Sequence, residues 1–264
     1  MRDLTEIIDI NEDNINKYGL FCKKTKKKEM GYQNKVAWIK ERLKEGLKYK
    51  LLWVTEGYKK PTSRGFIEYI PGEYNWRGIN ASNWMVIHCL WITGRVKKQG
   101  FGKKLLNEAI KDAKKQHLDG VAVVVSQKCS GLAKDLIFMK AGFEKVDECS
   151  PNFELYALKF SKKATTPKFN PIKKQSIEAC GNGVTLLYAH QCPYIPDVIN
   201  PVKKYANSEN IPFQVKNITT SREAQNNNIS PYGVYGIAFN NEVISYCFPK
   251  SVSQITEMIK KEMH

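Results

Sequence analysis

Two rhythms of apolar residues alternate along this chain. Short apolar runs of strand length fall at residues 5–10, 51–54, 65–70, 84–92 and 121–125. Between them apolar residues recur at helical spacing. Ile15, Tyr18 and Phe21 or Cys22 make one such face, starting after Asn11. Val36, Ile39, Leu43 and Leu47 make another, which predicts a helix over 32–45. Leu105, Leu106, Ala109, Ile110 and Ala113 make a third, with lysines and acids on the opposite side. Residues 144–149 and 153–160 are joined by Ser150, Pro151 and Asn152, and read as a hairpin that finishes a first sheet.

The second half opens with a strand over 184–188. A helix follows with Val198, Val202, Tyr205 and Ala206 on one face, and with Pro201 inside it, where a kink is expected. Next come a strand over 212–218, a short helix over 221–226, and two strands, 234–239 and 242–248, turning at Asn240 and Asn241. Ser251 caps a final helix reaching Lys260. The order is β-α-β-α-β-β-α. Residues 161–175 are basic, contain prolines and have no period, as in a linker. The chain therefore divides into a domain over 1–162, a linker over 163–175 and a smaller domain over 176–264. The fold class is α/β (α+β): a mixed sheet flanked by helices, then the small second unit.

Composition narrows the class. The chain has 264 residues, of which 42% are hydrophobic and 26% charged, the balance of a globular protein. No apolar run has the length of a membrane span, and the N-terminus lacks an apolar signal region, so a cytoplasmic location is expected. The seven cysteines are scattered, with no C-x-x-C pair and no Cys/His ligand spacing. Reduced thiols are expected, and no metal site. The formal charge of +16 comes almost entirely from lysine and favours anionic partners. The lysines, including the run at 23–28, are spread as on a solvated surface. No aromatic and basic residues interleave as in RNA-binding modules, so nucleic acid is not the expected partner.

The central stretch is 84–102. Its apolar run breaks into a basic turn, Val96-Lys97-Lys98-Gln99-Gly100-Phe101-Gly102, which opens directly into an amphipathic helix. That layout points unpaired backbone N–H groups at an anion. Gly100 and Gly102 permit close approach and positive φ, and Lys97, Lys98 and Lys103 add positive charge. An ordinary strand-to-helix turn with solvated lysines is the alternative.

Residues 97–102 resemble the acyl-CoA loop of the GNAT superfamily of N-acetyltransferases, usually Arg/Gln-x-x-Gly-x-Gly/Ala, with Lys97 at the first position. The buried strand at 121–125 and the run 132–143, ending Lys140-Ala141-Gly142-Phe143, resemble the superfamily's next strand and helix. The resemblance covers about the first 160 residues. It implies a GNAT acyltransferase fold and acetyl-CoA as co-substrate. The pyrophosphate would lie on Lys97, Lys98, Gln99, Gly100, Phe101, Gly102 and Lys103, and the pantetheine arm would pair with a splayed strand at Leu90, Trp91 and Ile92. The other partner would be an amine; a homodimer stays open. The second unit resembles a thioredoxin fold, and also the small YoaP-like domain appended to some bacterial members. Cys192-Pro193-Tyr194-Ile195 lies where glutaredoxins have Cys-Pro-Tyr-Cys, and Pro231 where that fold usually has a cis-proline. Ile195 replaces the second cysteine, so no internal dithiol cycle is expected.

Acetyl transfer needs a neutral amine and a protonated leaving thiolate. Members of the superfamily commonly supply the proton from a tyrosine, which aligns here with Phe138. His88 on the central strand is a candidate base or a structural histidine. His88 and its neighbour Cys89 are expected to point to opposite faces. Glu68 and Glu73 are further candidates for drawing a proton from the amine. Tyr74 and Trp76, in the loop over 71–83, either line a substrate pocket or cap the packing. Cys192, at a helix start, is a candidate reactive thiol, with His190 nearby. The leading reading is an N-acetyltransferase. The alternatives are a non-catalytic acyl-CoA-binding or sensory protein, and a thiol-redox protein using Cys192.

Overall fold

The computed structural model describes residues 4–55, 57, 60–226, 229–249 and 251–263. Residues 1–3 and part of the segment between the apolar runs at 51–54 and 65–70 lie outside them. The first half runs β1 (Leu4–Ile10), α1 (Ile15–Tyr18), α2 (Met30–Leu43), β2 (Lys48–Thr55), β3 (Thr62–Pro71), β4 (Ile79–Asn80) and β5 (Met85–Ile92). It continues with α3 (Phe101–Lys115), β6 (Gly120–Val125), α4 (Leu136–Met139), β7 (Glu144–Cys149) and β8 (Phe153–Lys159). Then come β9 (Lys168–Phe169), α5 (Lys174–Glu178), β10 (Val184–Tyr188), α6 (Pro196–Ser208), β11 (Phe213–Asn217), α7 (Ser221–Asn226), β12 (Tyr235–Phe239), β13 (Glu242–Ser245) and α8 (Val252–Glu262).

The main sheet has the order β1-β2-β3-β5-β6-β8-β7, and only its β5–β6 pair is parallel. A second sheet has the order β11-β10-β12-β13. On one face of the main sheet α3 buries Leu105, Leu106, Ala109 and Ala113 against Ile67, Ile87 and Val123. Each fully buried leucine of this kind contributes about 1.5–3 kcal/mol. The other face carries α2 and the second sheet together. One apolar core runs from Phe66, Val86 and Val124 to Leu186, Ile237 and Ile255. The two halves are thus joined through a shared interior.

Four expectations need correction here. The run 163–175 is not structureless: β9 pairs with β4, and α5 begins at Lys174. The helix expected over 132–143 is a single turn, Leu136–Met139, because Leu132 packs into the shared core while Phe138 packs on the opposite side of the sheet. The peptide before Pro231 is trans; among the described residues only Ser150–Pro151 is cis. The cysteines are not all free: Cys129 and Cys247 form a disulfide with Cα atoms 5.4 Å apart, which ties the segment after β6 to the segment after β13. Pro201 lies inside α6, which continues through it.

Candidate active site

β5 and β6 pair over Met85↔Val121, Val86↔Ala122 and Ile87↔Val123, and the ladder stops there. From His88 onward the two strands part. Beside that opening lies a groove of about 840 Å3 between the basic turn, the start of α3 and the α4 segment. Leu90, Ile92, Lys97, Lys98, Gly100, Gly102 and Lys103 all line it, and Lys134 and Lys140 close its far rim. Gly100 has φ +82°, and a Cβ there would meet nothing within 4 Å. Glycine takes that left-handed conformation at little cost. Gly102 differs from expectation: it has no positive φ, and its importance is space, since an added Cβ would lie 2.7 Å from Ile137 Cδ1. Of the expected loop residues, Gln99 turns back to donate to the Arg95 carbonyl at 2.9 Å. The Phe101 ring is buried in the core under α3.

A second, more enclosed space of about 300 Å3 lies on the opposite face of β3 and β5. Its walls come from both halves of the chain: Phe21, Phe66 and Trp91 from the first, Gln191, Tyr232 and Phe248 from the second. Leu90 and Ala133 line both the groove and this cavity. The two spaces therefore meet where β5 leaves β6.

Glu68 sits at the cavity floor and is fully buried. Lys35 Nζ lies 2.5 Å from its Oε2, and Gln191 Nε2 donates to its Oε1 at 2.7 Å. His88 Nδ1 lies 3.2 Å from the same Oε1. Burial alone would raise the Glu68 pKa, but Lys35, His88 and Gln191 outweigh it and hold it down at about 2. Glu68 is therefore an ionised, saturated carboxylate, a poor proton acceptor at neutral pH. Lys35 belongs to the buried face of α2, one turn from Tyr32 and Ile39, and its ammonium lies 4.3 Å from the Trp38 ring centroid.

His88 is also engaged on both sides. Its Nε2 accepts the Trp76 backbone N–H at 3.0 Å, which leaves the proton on Nδ1, facing Glu68. Burial, stronger than the pull of Glu68, lowers its pKa to about 4, so the ring is neutral at neutral pH. This geometry supports the structural role for His88 and leaves no free nitrogen for a substrate. The register of β3 against β5 shifts between Glu68↔Cys89 and Tyr69↔Ile87, so His88 is the extra residue of a bulge. That is why His88 and Cys89 face the same side, against simple alternation: Cys89 lines the cavity and donor Gln191 Nε2 lies 3.6 Å from its sulfur.

The remaining candidates fall away from the chemistry. Trp76 is buried and packs edge-on against Trp38 at 5.2 Å, while Tyr74 is exposed outside the cavity. Glu73 accepts from the Asn83 N–H at 2.6 Å and the Ser82 hydroxyl at 3.1 Å. Phe138 is fully buried against Phe143. Cys192 lines the cavity with Cys22 and Cys89. Burial raises the pKa of all three, that of Cys89 to about 11, so Cys192 is a protonated thiol and not an activated thiolate. His190 does not assist it; its Nε2 lies 3.3 Å from the Tyr188 hydroxyl.

Sequence reasoning missed the second half's part in this site. Arg77, fully buried, donates to the carbonyls of His88 at 2.7 Å and Tyr232 at 3.3 Å, and lies over the Tyr232 ring. Lys23 pairs with Asp197 at 2.5 Å, and its N–H donates to the Tyr194 hydroxyl at 3.2 Å. These bonds hold the Gln191–Tyr194 and Tyr232 segments over the floor.

Comparison with known proteins identifies the family. Residues 27–134 match the family model described as the acetyltransferase (GNAT) family. The uncharacterized N-acetyltransferase YoaP of Bacillus subtilis is 34% identical over 221 residues, 83% of this chain and 84% of that protein. Among solved structures, a GNAT-family acetyltransferase from Staphylococcus aureus aligns over 59% of this chain and 100% of that one, with 17% identity and a TM-score of 0.41. The PaiA N-acetyltransferase of Thermoplasma acidophilum, solved with coenzyme A, aligns over 60% and 99%, with 17% identity and a TM-score of 0.38. Among the described residues no helix is long and apolar enough to cross a membrane. With YoaP alike over most of both chains, the protein belongs to the GNAT acetyltransferase family and is an N-acetyltransferase.

Proposed function

We propose that the chain moves the acetyl group of acetyl-CoA to the nitrogen of an amine, with the groove holding the CoA and the cavity holding the amine. The observation that carries this reading is the shared wall at Leu90 and Ala133. A thioester lying along β5 reaches the cavity there and nowhere else along the groove's lining. Lys97, Lys98 and Lys103 supply charge to the CoA phosphates, and the first-turn N–H groups of α3, which have no intrahelical acceptor, bind the pyrophosphate. The edge of β5 freed by β6, Leu90 to Ile92, offers backbone groups to the pantetheine arm. In the reaction the amine lone pair attacks the thioester carbonyl carbon, the C–S bond breaks, and the proton lost by nitrogen ends on the CoA sulfur. Phe138 gives no proton, so holding the two reactants together is the main contribution of the protein.

The unit from β10 to α8 has the β-α-β-α-β-β-α order of a thioredoxin fold. We assign it as a thioredoxin-like domain over 176–264 following a transferase domain over 1–162. Its role here is to wall the amine cavity rather than to cycle a dithiol, because Ile195 replaces a partner cysteine and Cys192 is held protonated. Incubation with acetyl-CoA and a panel of amines, with free thiol as the readout, tests the reading. Amine-dependent thiol release is expected. CoA binding without release for any amine would overturn acetyl transfer in favour of a binding role.

A further inference from the structure

The cavity has one unmet demand. Among its lining side chains, Gln191 Oε1 is the buried polar atom with no hydrogen-bond partner. Gln191 is 2% exposed. Its amide orientation is fixed by its neighbour: Nε2 donates to the Glu68 carboxylate at 2.7 Å, so the oxygen is the free end. A buried acceptor left unpaired costs about 1–3 kcal/mol, which a ligand N–H would recover.

The surroundings state what else that ligand must be. Lys35 and Glu68 cancel, and His88 is neutral. Burial raises the pKa of Cys22, Cys89, Cys192, Tyr194 and Tyr232, keeping each uncharged. Arg77, buried over the ring of the cavity residue Tyr232, adds a positive charge, so no negative charge remains to balance an ammonium, and a charge moved there would lose its hydration. The walls are mainly rings and aliphatic groups, including Phe21, Phe66, Leu90 and Phe248. A space of about 300 Å3 admits one ring with a short chain, not a long polar body.

We infer that the acceptor is a compact primary amine with an apolar, ring-sized body, taken up in its neutral form, with Gln191 Oε1 accepting one of its N–H bonds. The inference rests on the cavity being the acceptor site. Held this way, the amine keeps its lone pair free and turned from Gln191, toward the wall shared with the groove. The neutral form is also the nucleophilic one, so the same desolvation that selects it prepares it for attack. Polyamines and lysine side chains on a polypeptide fit poorly, since both bring further polar groups that find no partner.

Calorimetry with CoA present and 2-phenylethylamine, spermidine or a lysine-containing peptide as titrant tests this. The wild-type chain should bind 2-phenylethylamine more tightly than the other two. Gln191→Leu should weaken that binding at least tenfold while CoA affinity stays within twofold. Should Gln191→Leu fail to fold, Cys89→Met, which only adds bulk to the same wall, should weaken the amine and spare CoA. Wild-type preference for spermidine or the peptide, no binding of 2-phenylethylamine, or undiminished binding in both variants overturns the inference. If the amine binds as described but CoA does not, the cavity stands as a site for a neutral, ring-bearing amine, while its role as acceptor site falls with the acetyl-transfer reading.

Discussion

The groove and the cavity lie on opposite faces of the same strand and are built on opposite plans. The groove is local. A single stretch, from the end of β5 through the turn into α3, supplies Lys97, Lys98, Gly100, Gly102 and Lys103, and its lysines are exposed to solvent. The cavity is assembled from residues as far apart as Phe21 and Phe248, and its charges are buried and already matched. The difference follows from what each must hold. A phosphate-bearing ligand common to many enzymes can be met by backbone N–H groups and a few lysines at a helix start. A particular amine must be met by shape and by one precisely oriented acceptor, which only packing between distant segments can fix.

The largest effect should come from breaking the cavity floor. Glu68→Leu removes the partner of a fully buried ammonium, that of Lys35, and also strips His88 and Gln191 of their common acceptor. Loss of one member of a buried pair costs about 3–5 kcal/mol. Chemical denaturation should show that loss, whereas reversing Lys97, a groove residue, should leave stability within about 0.5 kcal/mol. Equal stability of Glu68→Leu and the parent would mean the floor is not the anchor described here.

The same contrast explains what the sequence disclosed. The groove was legible because each of its signals is local: an apolar run, a basic turn with Gly100, an amphipathic α3. The order of elements in the second half was legible for the same reason. The cavity was not. Lys35 reads as a solvent residue until Glu68 is placed opposite it. His88 and Cys89 read as pointing apart until the bulge in β5 is seen, because alternation assumes an unbroken ladder. Cys129 and Cys247 are 118 residues apart, and no spacing rule joins them. Gln191 carried no signal at all, since its role depends on the carboxylate that fixes its amide.

Acid should separate the two regions next. His88 is held neutral, with its pKa lowered by burial to about 4, whereas an unfolded histidine takes its proton near 6.5. Its contribution is therefore whole above that ordinary value and is lost as pH falls toward 4, by up to about 3 kcal/mol. Glu68, also lowered, to about 2, acts in the same direction but lower, between the ordinary carboxylate range and about 2. Stability of the wild-type chain should fall between pH 7 and pH 4. His88→Gln, which can still accept from Trp76 and donate to Glu68 but does not titrate, should show a flatter profile over that window. Parallel profiles would remove His88 from the account.

The smallest of these effects should come from the groove, and it is the most selective. Gly102 stands in the first turn of α3, where an added Cβ crowds the tip of Ile137, a flexible end on the α4 segment, and otherwise only grazes Ile92 Cγ1 at 4.0 Å. Gly102→Phe should therefore fold, since Ile137 can move, but the new ring must occupy the lining of the groove. CoA affinity should drop about 30-fold, or about 2 kcal/mol. The cavity meets the groove at Leu90 and Ala133, neither of which lies within 4 Å of the new ring's point of attachment, so binding of 2-phenylethylamine should stay within twofold. Gly100→Ala makes the useful contrast: it has open space around it but a left-handed backbone, so it should cost stability of about 1 kcal/mol through strain rather than block the ligand. Calorimetry on both variants reads the difference. If Gly102→Phe binds CoA as the parent does, the groove is not where the CoA lies, and the shared wall loses its meaning as the point of transfer.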